Sequence, residues 1–347
     1  MELVIKTYQN QFSTTIKKQI QQVDSAVLNF DINNYWEADL IIPVIEWIEK
    51  FDKIELYEVI EKSDNLVFTG YIYDFEISTT DIKLFCRSTK ELLNYKLVLS
   101  DKSYTSKTIT HIIEDLLNDW NTAYWDSWTF FCNDTTTITK DFKTGDNLHD
   151  IIEEISWLLW LVWDVTESQI IVKETIGEDR TTGINYKALI FNWKSPSDSD
   201  ISEPVLTSFP TLRNIVIGID STTKSTKWDS TSITNFWALG EMKRFRDGDL
   251  ATQTQEYLDS RKVEQKIFKF EVYDTQNINA GDKVKLIIEE ANDYLNFDWT
   301  AIINTQRIEY LNRDKIVTLG VSSIYVYQDT IKNRLKQLDK NIKLLTV

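Results

Sequence analysis

Two histidines, His111 and His149, are the side chains best suited to metal binding or acid–base chemistry in this sequence. His111 and Glu114 have the spacing H-x-x-E, but the sequence contains no H-E-x-x-H motif and no third ligand at a spacing typical of a metal site. Each histidine lies early in a segment with apolar residues at helical spacing. We therefore predict a structural or surface role for both histidines, and we expect no metal site and no cofactor.

Acidic side chains are abundant, and a glycosidase needs only two carboxyl groups roughly 5–9 Å apart. The adjacent pairs Glu153-Glu154 and Glu289-Glu290 are candidates. However, neighbouring residues do not face each other on a helix, and they point to opposite faces of a strand. Solvated acids are therefore the favoured interpretation, and a peptidoglycan hydrolase is the weakest alternative.

Other catalytic motifs are absent from the sequence. With 9 glycines in 347 residues, the chain has neither a G-x-G-x-x-G motif nor a Walker loop for phosphates. A G-x-S-x-G nucleophile elbow is also missing. We predict that the chain is not an enzyme and that it has no catalytic or cofactor-binding residues.

Four aromatic residues lie close together at Trp120, Tyr124, Trp125 and Trp128. Such a group can form a platform on which sugar rings stack, and it can equally form the core of a small module. The core interpretation is favoured, because buried rings supply the largest apolar area per residue. A carbohydrate-binding or receptor-binding protein remains the alternative.

The bulk composition is that of a globular protein with two or three domains. Hydrophobic residues make up 42% and aromatic residues 12% of the chain. The formal net charge of −16 argues against a nucleic-acid-binding surface, which needs lysine and arginine to contact phosphates. No window approaches the roughly 18 apolar residues that a membrane span requires. We also expect no secretory leader, since Met1-Glu2 is followed by Lys6 and Gln9.

The chain contains 2 cysteines, Cys86 and Cys132, which is too few for a disulfide framework. Cys86 alternates with apolar neighbours in a predicted strand. A small buried thiol is the expected role for this residue.

A degenerate repeat connects two stretches about 230 residues apart, Phe51–Thr89 and Gly281–Ser323. In the first, Asp52-Lys53-Ile54 precedes a polar turn and an apolar strand, and Asp282-Lys283-Val284 begins the same pattern in the second. Each stretch then has a further strand that opens on an aspartate. The pattern predicts one β-unit built twice, and duplicated β-units are more typical of architecture than of a single catalytic pocket.

The coarse pattern predicts an α+β fold that is mainly β. Strands dominate the first part of the chain. A module with two amphipathic helices follows, and we expect Ser106 to cap the first helix and Asp146 the second. Strands then return. The expected divisions are 1–99, 100–205 and 206–326, with a polar helix in 327–347.

The order of these elements resembles the baseplate hub proteins of long-tailed bacteriophages. This family is also called tail-associated or late-control-D-like, and it includes the upper part of type VI secretion spikes. Each motif is short, and their order and spacing carry the resemblance. The matching segments are Trp36–Ile42; Asp52–Tyr57, similar to d-x-I-x-I/L; Phe68–Ile72, similar to F-x-G-x-I/V; Ile82–Ser88 with Leu92-Leu93; Thr108–Leu117; Asn147–Leu159; and Ala280–Val284, similar to P-G-D-x-V with alanine in place of the usual proline.

The resemblance implies two tail-tube-like antiparallel β-barrel domains, in 1–99 and 206–326, that flank the inserted α+β module. In the family a homotrimer presents six such units as a pseudo-sixfold ring, which joins a hexameric tail tube to a threefold tip. Whether each barrel closes within one chain or across the trimer is left open.

The same resemblance implies a location at the tail tip of a virion that is assembled in the host cytoplasm. The implied partners are distal tail or tail-tube proteins, the tape measure protein and tail-tip or fibre proteins, and DNA would pass through the lumen without specific binding. The family's C-terminal extension and its lysozyme or peptidase domain have no counterpart in these residues, so we expect no cell-wall degradation by this chain.

Overall fold

The structure is a computed structural model that describes residues 2–322 apart from short gaps. The predicted C-terminal helix, Gln328–Lys340, lies outside the described residues. The gaps are residues 10–12, 33–34, 45–47, 61–62, 125, 160, 167, 174–176, 184–185, 193–196, 198, 210–211, 220–222, 237, 245–248, 263–264, 274–277, 290–296 and 312–313.

The first segment consists of seven strands followed by a 3₁₀ helix, Thr89–Tyr95. Buried and partly exposed residues alternate along several of these strands, which confirms the half-buried pattern predicted from the sequence. Cys86 is buried, as expected. The strands are β1 (Glu2–Tyr8), β2 (Ile16–Ile20), β3 (Ser25–Asp31), β4 (Glu37–Pro43), β5 (Lys53–Ile60), β6 (Ser63–Ile77) and β7 (Asp81–Arg87).

A small α+β module with its own apolar core follows. Its two helices bury the apolar stripes that their sequences predict, and its strands form an antiparallel pair and a three-stranded sheet. The elements are β8 (Lys102–Thr108), α1 (Ile109–Tyr124), β9 (Thr129–Cys132), β10 (Thr137–Phe142), α2 (Leu148–Leu158), β11 (Val162–Thr166) and β12 (Gln169–Lys173).

Both predicted helix caps in this module are wrong by one or two residues. Ser106 lies within β8 at φ 50°, and the Thr108 hydroxyl instead accepts from the His111 N–H at 3.3 Å. At the second helix, the Asn147 side-chain oxygen accepts from the Asp150 N–H at 2.7 Å. Strand β8 pairs with β10 up to Thr108, and the Asp146 carboxylate accepts from the Lys143 N–H at 2.8 Å in the preceding turn, so in each case the cap is the last residue before the helix.

The remaining chain returns to strands but also contains a second small unit. Strands β15, β16 and β17 form a separate sheet that packs with α4 around Val216, Leu250, Tyr257 and Leu258. The elements are β13 (Ala188–Asn192), β14 (Val205–Phe209), β15 (Ile215–Ile219), β16 (Lys224–Trp228), α3 (Ser230–Phe236), β17 (Gly240–Arg244), α4 (Leu250–Arg261), β18 (Gln265–Val272), β19 (Lys283–Glu289), β20 (Phe297–Leu311) and β21 (Asp314–Ser322).

One sheet of 13 strands joins the two β segments and makes the fold mainly β. Its order is β14-β18-β21-β20-β3-β4-β7-β6-β5-β1-β2. In addition, β19 pairs with β20, and β13 pairs with β19. The long strand β20 pairs with β19 through its first half and with β3 through its second half. A single apolar core cluster includes residues from both segments.

The large sheet is strongly rolled. Lys315 of β21 and Glu58 of β5 form an ion pair at 2.8 Å, although six strand-to-strand steps separate β21 from β5 in the sheet order. In a flat sheet, six steps of about 4.8 Å would place these strands about 29 Å apart. The roll brings them within side-chain reach. In the described part of the chain no hydrogen-bonded pairing joins β14 to β2, so closure of the predicted barrels stays a prediction.

Candidate functional site

The two predicted repeat units have the same three-stranded architecture. Strands β5, β6 and β7 form one antiparallel unit, and β19, β20 and β21 form the other. Both central strands, β6 and β20, are 15 residues long, and both contain a register shift where they pair with the third strand. The predicted duplication is therefore confirmed at the level of strands.

Each unit begins with the same backbone turn. The residue before the aspartate has a positive φ in both copies, 68° at Phe51 and 95° at Gly281. The Ile72 N–H donates to the Asp52 carbonyl at 3.0 Å, and the Ile303 N–H donates to the Asp282 carbonyl at 3.0 Å. Asp52 and Asp282 are thus equivalent positions, as their sequence context predicted. We call these two segments the aspartate turns.

Asp282 anchors the second aspartate turn through a buried carboxylate. The residue is 1% exposed. It accepts hydrogen bonds from the Arg180 guanidinium at 2.8 Å, the Glu178 N–H at 2.8 Å and the Asn279 N–H at 3.0 Å. A carboxylate with a charged partner and two backbone donors is well compensated for its loss of water. Asp282 therefore ties the segment before β13 to the start of β19.

Asp52 makes the corresponding contact in the first aspartate turn with a more exposed partner. The Lys17 ammonium lies 2.8 Å from the Asp52 carboxylate and 3.1 Å from that of Glu49. The hydrogen bond that the Lys17 ammonium donates to Asp52 is the main cause that raises the pKa of Lys17. The Lys17 side chain is 27% exposed, against 13% for Arg180. The second turn is consequently the more buried of the two.

Gly177 packs directly against the second aspartate turn, and we expect Gly177→Ala to lower the free energy of unfolding. A Cβ at this position would lie 2.3 Å from the Gly281 carbonyl carbon and 2.4 Å from the Asp282 nitrogen, and its φ is +46°. Overpacking of this kind costs about 1–3 kcal/mol, and the cost of a side chain at a positive φ, about 1 kcal/mol, adds to it. The loss is measured by urea denaturation.

Gly183→Ala is the matched control, because Gly183 also has a positive φ, +78°, but nothing lies within 4 Å of its added Cβ. We expect only the backbone cost of about 1 kcal/mol there. Equal losses in the two variants would contradict a tight contact at Gly177.

The candidate ligands at His111 and Glu114 do not form a site. Both residues are exposed on α1. The His111 ring makes an edge contact with Tyr104, with ring centroids 6.4 Å apart. Within the described residues, neither side chain belongs to a cluster of three or more potential metal ligands. A surface role for His111 agrees with this placement.

The two acidic pairs are not brought together as catalytic dyads. Glu154 accepts a hydrogen bond from Lys140 at 3.2 Å, whereas Glu153 lies 3.6 Å from the imidazole of His149. Glu289 accepts from Asn192 at 3.1 Å, and Glu290 lies outside the described residues. Glu153 and Glu154 therefore contact different neighbours, as expected for adjacent helical residues.

The aromatic group is at least partly core. Trp128 is 2% exposed. Trp120 donates from its indole nitrogen to Asp126 at 3.0 Å, and Tyr124 packs on it with ring centroids 4.4 Å apart. Trp125 lies outside the described residues. A sugar platform needs exposed rings, so the burial of Trp128 supports the core interpretation.

A polar network on β1 and β5 was not anticipated from the sequence. The Glu55 carboxylate accepts from the hydroxyls of Tyr8 and Tyr57, both at 2.6 Å, and pairs with Lys53 at 2.8 Å. The alternation of Lys53, Glu55 and Tyr57, which places them on one face of the strand, was the available signal.

This network holds Glu55 in its ionised form. Burial alone would raise the pKa of Glu55, but the hydrogen bonds from Lys53, Tyr57 and Tyr8 together lower it. Burial, followed by the hydrogen bond to Glu55, raises the pKa of Tyr8 to about 12. A carboxylate with both oxygens engaged is a poor proton acceptor, and its role here is to connect β1 to β5.

The fold is shared with proteins of known structure. The tail protein from Neisseria meningitidis superposes with a TM-score of 0.69 at 12% identity, covering 94% of this chain and 98% of that one. The chain has the fold of phage tail proteins. The prophage tail protein gp18 from Listeria monocytogenes superposes with a TM-score of 0.60 at 12% identity, covering 99% of this chain and 100% of that one.

A component of the type VI secretion system from E. coli, described as structurally similar to the T4 bacteriophage tail proteins gp27 and gp5, has the same fold. Its TM-score is 0.54 at 10% identity, over 87% of this chain and 74% of that one. No protein-family model and no curated protein matches the sequence. The resemblance to the baseplate hub family is therefore confirmed at the level of the tail-protein fold.

Of the described helices, none combines the length and apolar character needed to cross a bilayer.

Proposed function

We propose that this chain is the structural hub of a phage or phage-like tail tip. Three copies assemble as a homotrimer of pseudo-sixfold symmetry, which joins the hexameric tail tube to the threefold tip and forms a channel for DNA. The hub contacts distal tail or tail-tube proteins, the tape measure protein and tail-tip or fibre proteins. Its place is the tail tip of the virion, after assembly in the host cytoplasm.

The observation that carries this proposal is the pair of equivalent β-units within one rolled sheet. Two units per chain give six units per trimer, which matches the symmetry of a hexameric tube at one face and a trimeric tip at the other. The direct pairing of β3 with β20 supports a fixed spacing between the two β segments of each chain.

The charge of the chain is consistent with a passage rather than a binding site for DNA. A net charge of −16 gives an average field that repels phosphates. DNA in such a channel slides without adhering to the wall. The role is architectural, and the fold shared with phage tail proteins supports a protein that is not an enzyme.

Native mass spectrometry of the purified chain tests the proposal. We expect a dominant species of about 122 kDa, three times the 40.7 kDa of one chain. Negative-stain images of this species are expected to show a ring with a central opening. A monomer that persists at high protein concentration, together with the absence of threefold rings, would overturn the hub assignment.

A further inference from the structure

Three potential metal ligands converge over the first two turns of α2. The Nδ1 atom of His149 lies 3.7 Å from an Asp150 carboxylate oxygen and 3.6 Å from a Glu153 carboxylate oxygen. One ligand atom from each of the three residues lies within 4.8 Å of the other two. His149 and Glu153 are four residues apart, so the helix itself places them on one face.

His149 is a buried side chain whose Nδ1 atom has no hydrogen-bond partner among the described residues. The residue is 7% exposed, and Nδ1 is shielded from solvent. Separations of 3.6–3.7 Å are too long for a hydrogen bond. Buried polar atoms nearly always have a hydrogen-bond partner or another ligand. An ion bound to Nδ1 would supply that partner.

The neighbours of the cluster fix its orientation. The Asn147 side-chain nitrogen donates to Oδ2 of Asp150 at 2.9 Å, while Oδ1 of the same carboxylate faces His149. The imidazole packs edge-on against Trp163, with ring centroids 5.0 Å apart. Contacts of this kind around the ligands hold metal-binding side chains in position in known metal sites.

We propose that His149, Asp150 and Glu153 bind one divalent transition-metal ion of the zinc type. Two ligands at 2.0–2.1 Å from a tetrahedral zinc lie about 3.3 Å apart, and the two separations from Nδ1 exceed that spacing by only a few tenths of an ångström. One imidazole and two carboxylates suit zinc, whereas calcium and magnesium prefer oxygen ligands alone. The two carboxylates balance the charge of the ion, and water completes its coordination.

This site is separate from the proposed hub role and departs from the structural role predicted for His149 from the sequence. The bound ion would link the first and second turns of α2 and satisfy the buried nitrogen. Metal that binds the folded state in this way also stabilises it.

The test is zinc titration of the full chain after treatment with a chelator, followed by isothermal calorimetry. We expect one equivalent of Zn²⁺ per chain and a melting temperature that rises with Zn²⁺ concentration. His149→Ala and Glu153→Gln are each expected to weaken binding by at least about 100-fold, since each removes one of three protein ligands. Substitution by Co²⁺ gives an independent readout through visible absorption.

His111→Ala is the matched control, because it removes the other histidine of the chain from an exposed position outside the cluster. We expect this variant to bind Zn²⁺ as the unaltered chain does. Circular dichroism without metal checks that each variant is folded. If His149→Ala fails to fold, Glu153→Gln tests the site instead. The Glu153 side chain is 43% exposed, so we expect this variant to fold.

Three outcomes would overturn the proposal. The first is that the unaltered chain takes up no Zn²⁺. The second is that folded Glu153→Gln binds as tightly as the unaltered chain. The third is that His111→Ala weakens binding as much as the cluster variants do, which would indicate diffuse binding to an acidic surface.

Discussion

Asp282→Ala is expected to lower the free energy of unfolding by about 3–5 kcal/mol, the cost of removing one partner from a buried ion pair. The substitution removes the carboxylate 2.8 Å from the Arg180 guanidinium, whose side chain is 13% exposed, and leaves it with the exposed carboxylate of Glu178 at 3.1 Å. It also removes the acceptor for the N–H groups of Glu178 and Asn279. Urea denaturation measures the loss.

The duplication supplies the control for this substitution. Asp52→Ala removes the equivalent carboxylate. Each cation then keeps a glutamate at 3.1 Å, Glu49 for Lys17 and Glu178 for Arg180, but Lys17 is 27% exposed against 13% for Arg180. We expect a smaller loss of about 1–2 kcal/mol there. Equal losses in the two variants would show that the burial of the cation does not set the energetics of the aspartate turns.

Leu28→Ala is expected to lower the free energy of unfolding by about 2–5 kcal/mol, the usual cost of a cavity at a buried leucine. Leu28 is 0% exposed and lies on β3 opposite Ile308 of β20 and Ala38 of β4. The cavity therefore opens where the second β-unit joins the first β segment. We expect hydrogen exchange of the backbone amides in β3–β7 and in β19–β21 to speed up together, because one apolar core cluster includes residues from both segments.

Val27→Ala serves as the control, because Val27 is the next residue on the same strand and points to the other, partly exposed face. Its expected cost is about 1 kcal/mol. If instead the amides of one β-unit kept their exchange rates in Leu28→Ala, the two β-units would be independent folding units and the shared core would not couple them.

The duplicated unit could be predicted because its signals are local. The Asp-Lys-Ile and Asp-Lys-Val starts, the polar turn and the alternation along each strand all lie within about 40 residues. The pairing of β3 with β20 could not be predicted in the same way, since alternation tells which face of a strand is buried but names no partner. The contact between Arg180 and Asp282 could not be predicted for the same reason, since the two residues are 102 positions apart in the sequence.

The separate sheet of β15, β16 and β17 beside α4 escaped prediction because β16 reads Lys-Ser-Thr-Lys-Trp, with little apolar content. Its stability comes from contacts with β15 and α4 rather than from its own pattern. The cluster on α2 had a usable signal, since His149, Asp150 and Glu153 have the spacing H-D-x-x-E. A search confined to H-x-x-E and H-E-x-x-H passes over this arrangement.

The direct pairing of β3 with β20 has a consequence for how a ring of three chains would come apart. Such a ring has six contacts between neighbouring β-units. Three of these contacts lie within a chain and form when that chain folds. The other three contacts exist only after assembly. We therefore expect mild denaturant or dilution to separate the ring into folded single chains, each with two β-units, before any chain unfolds.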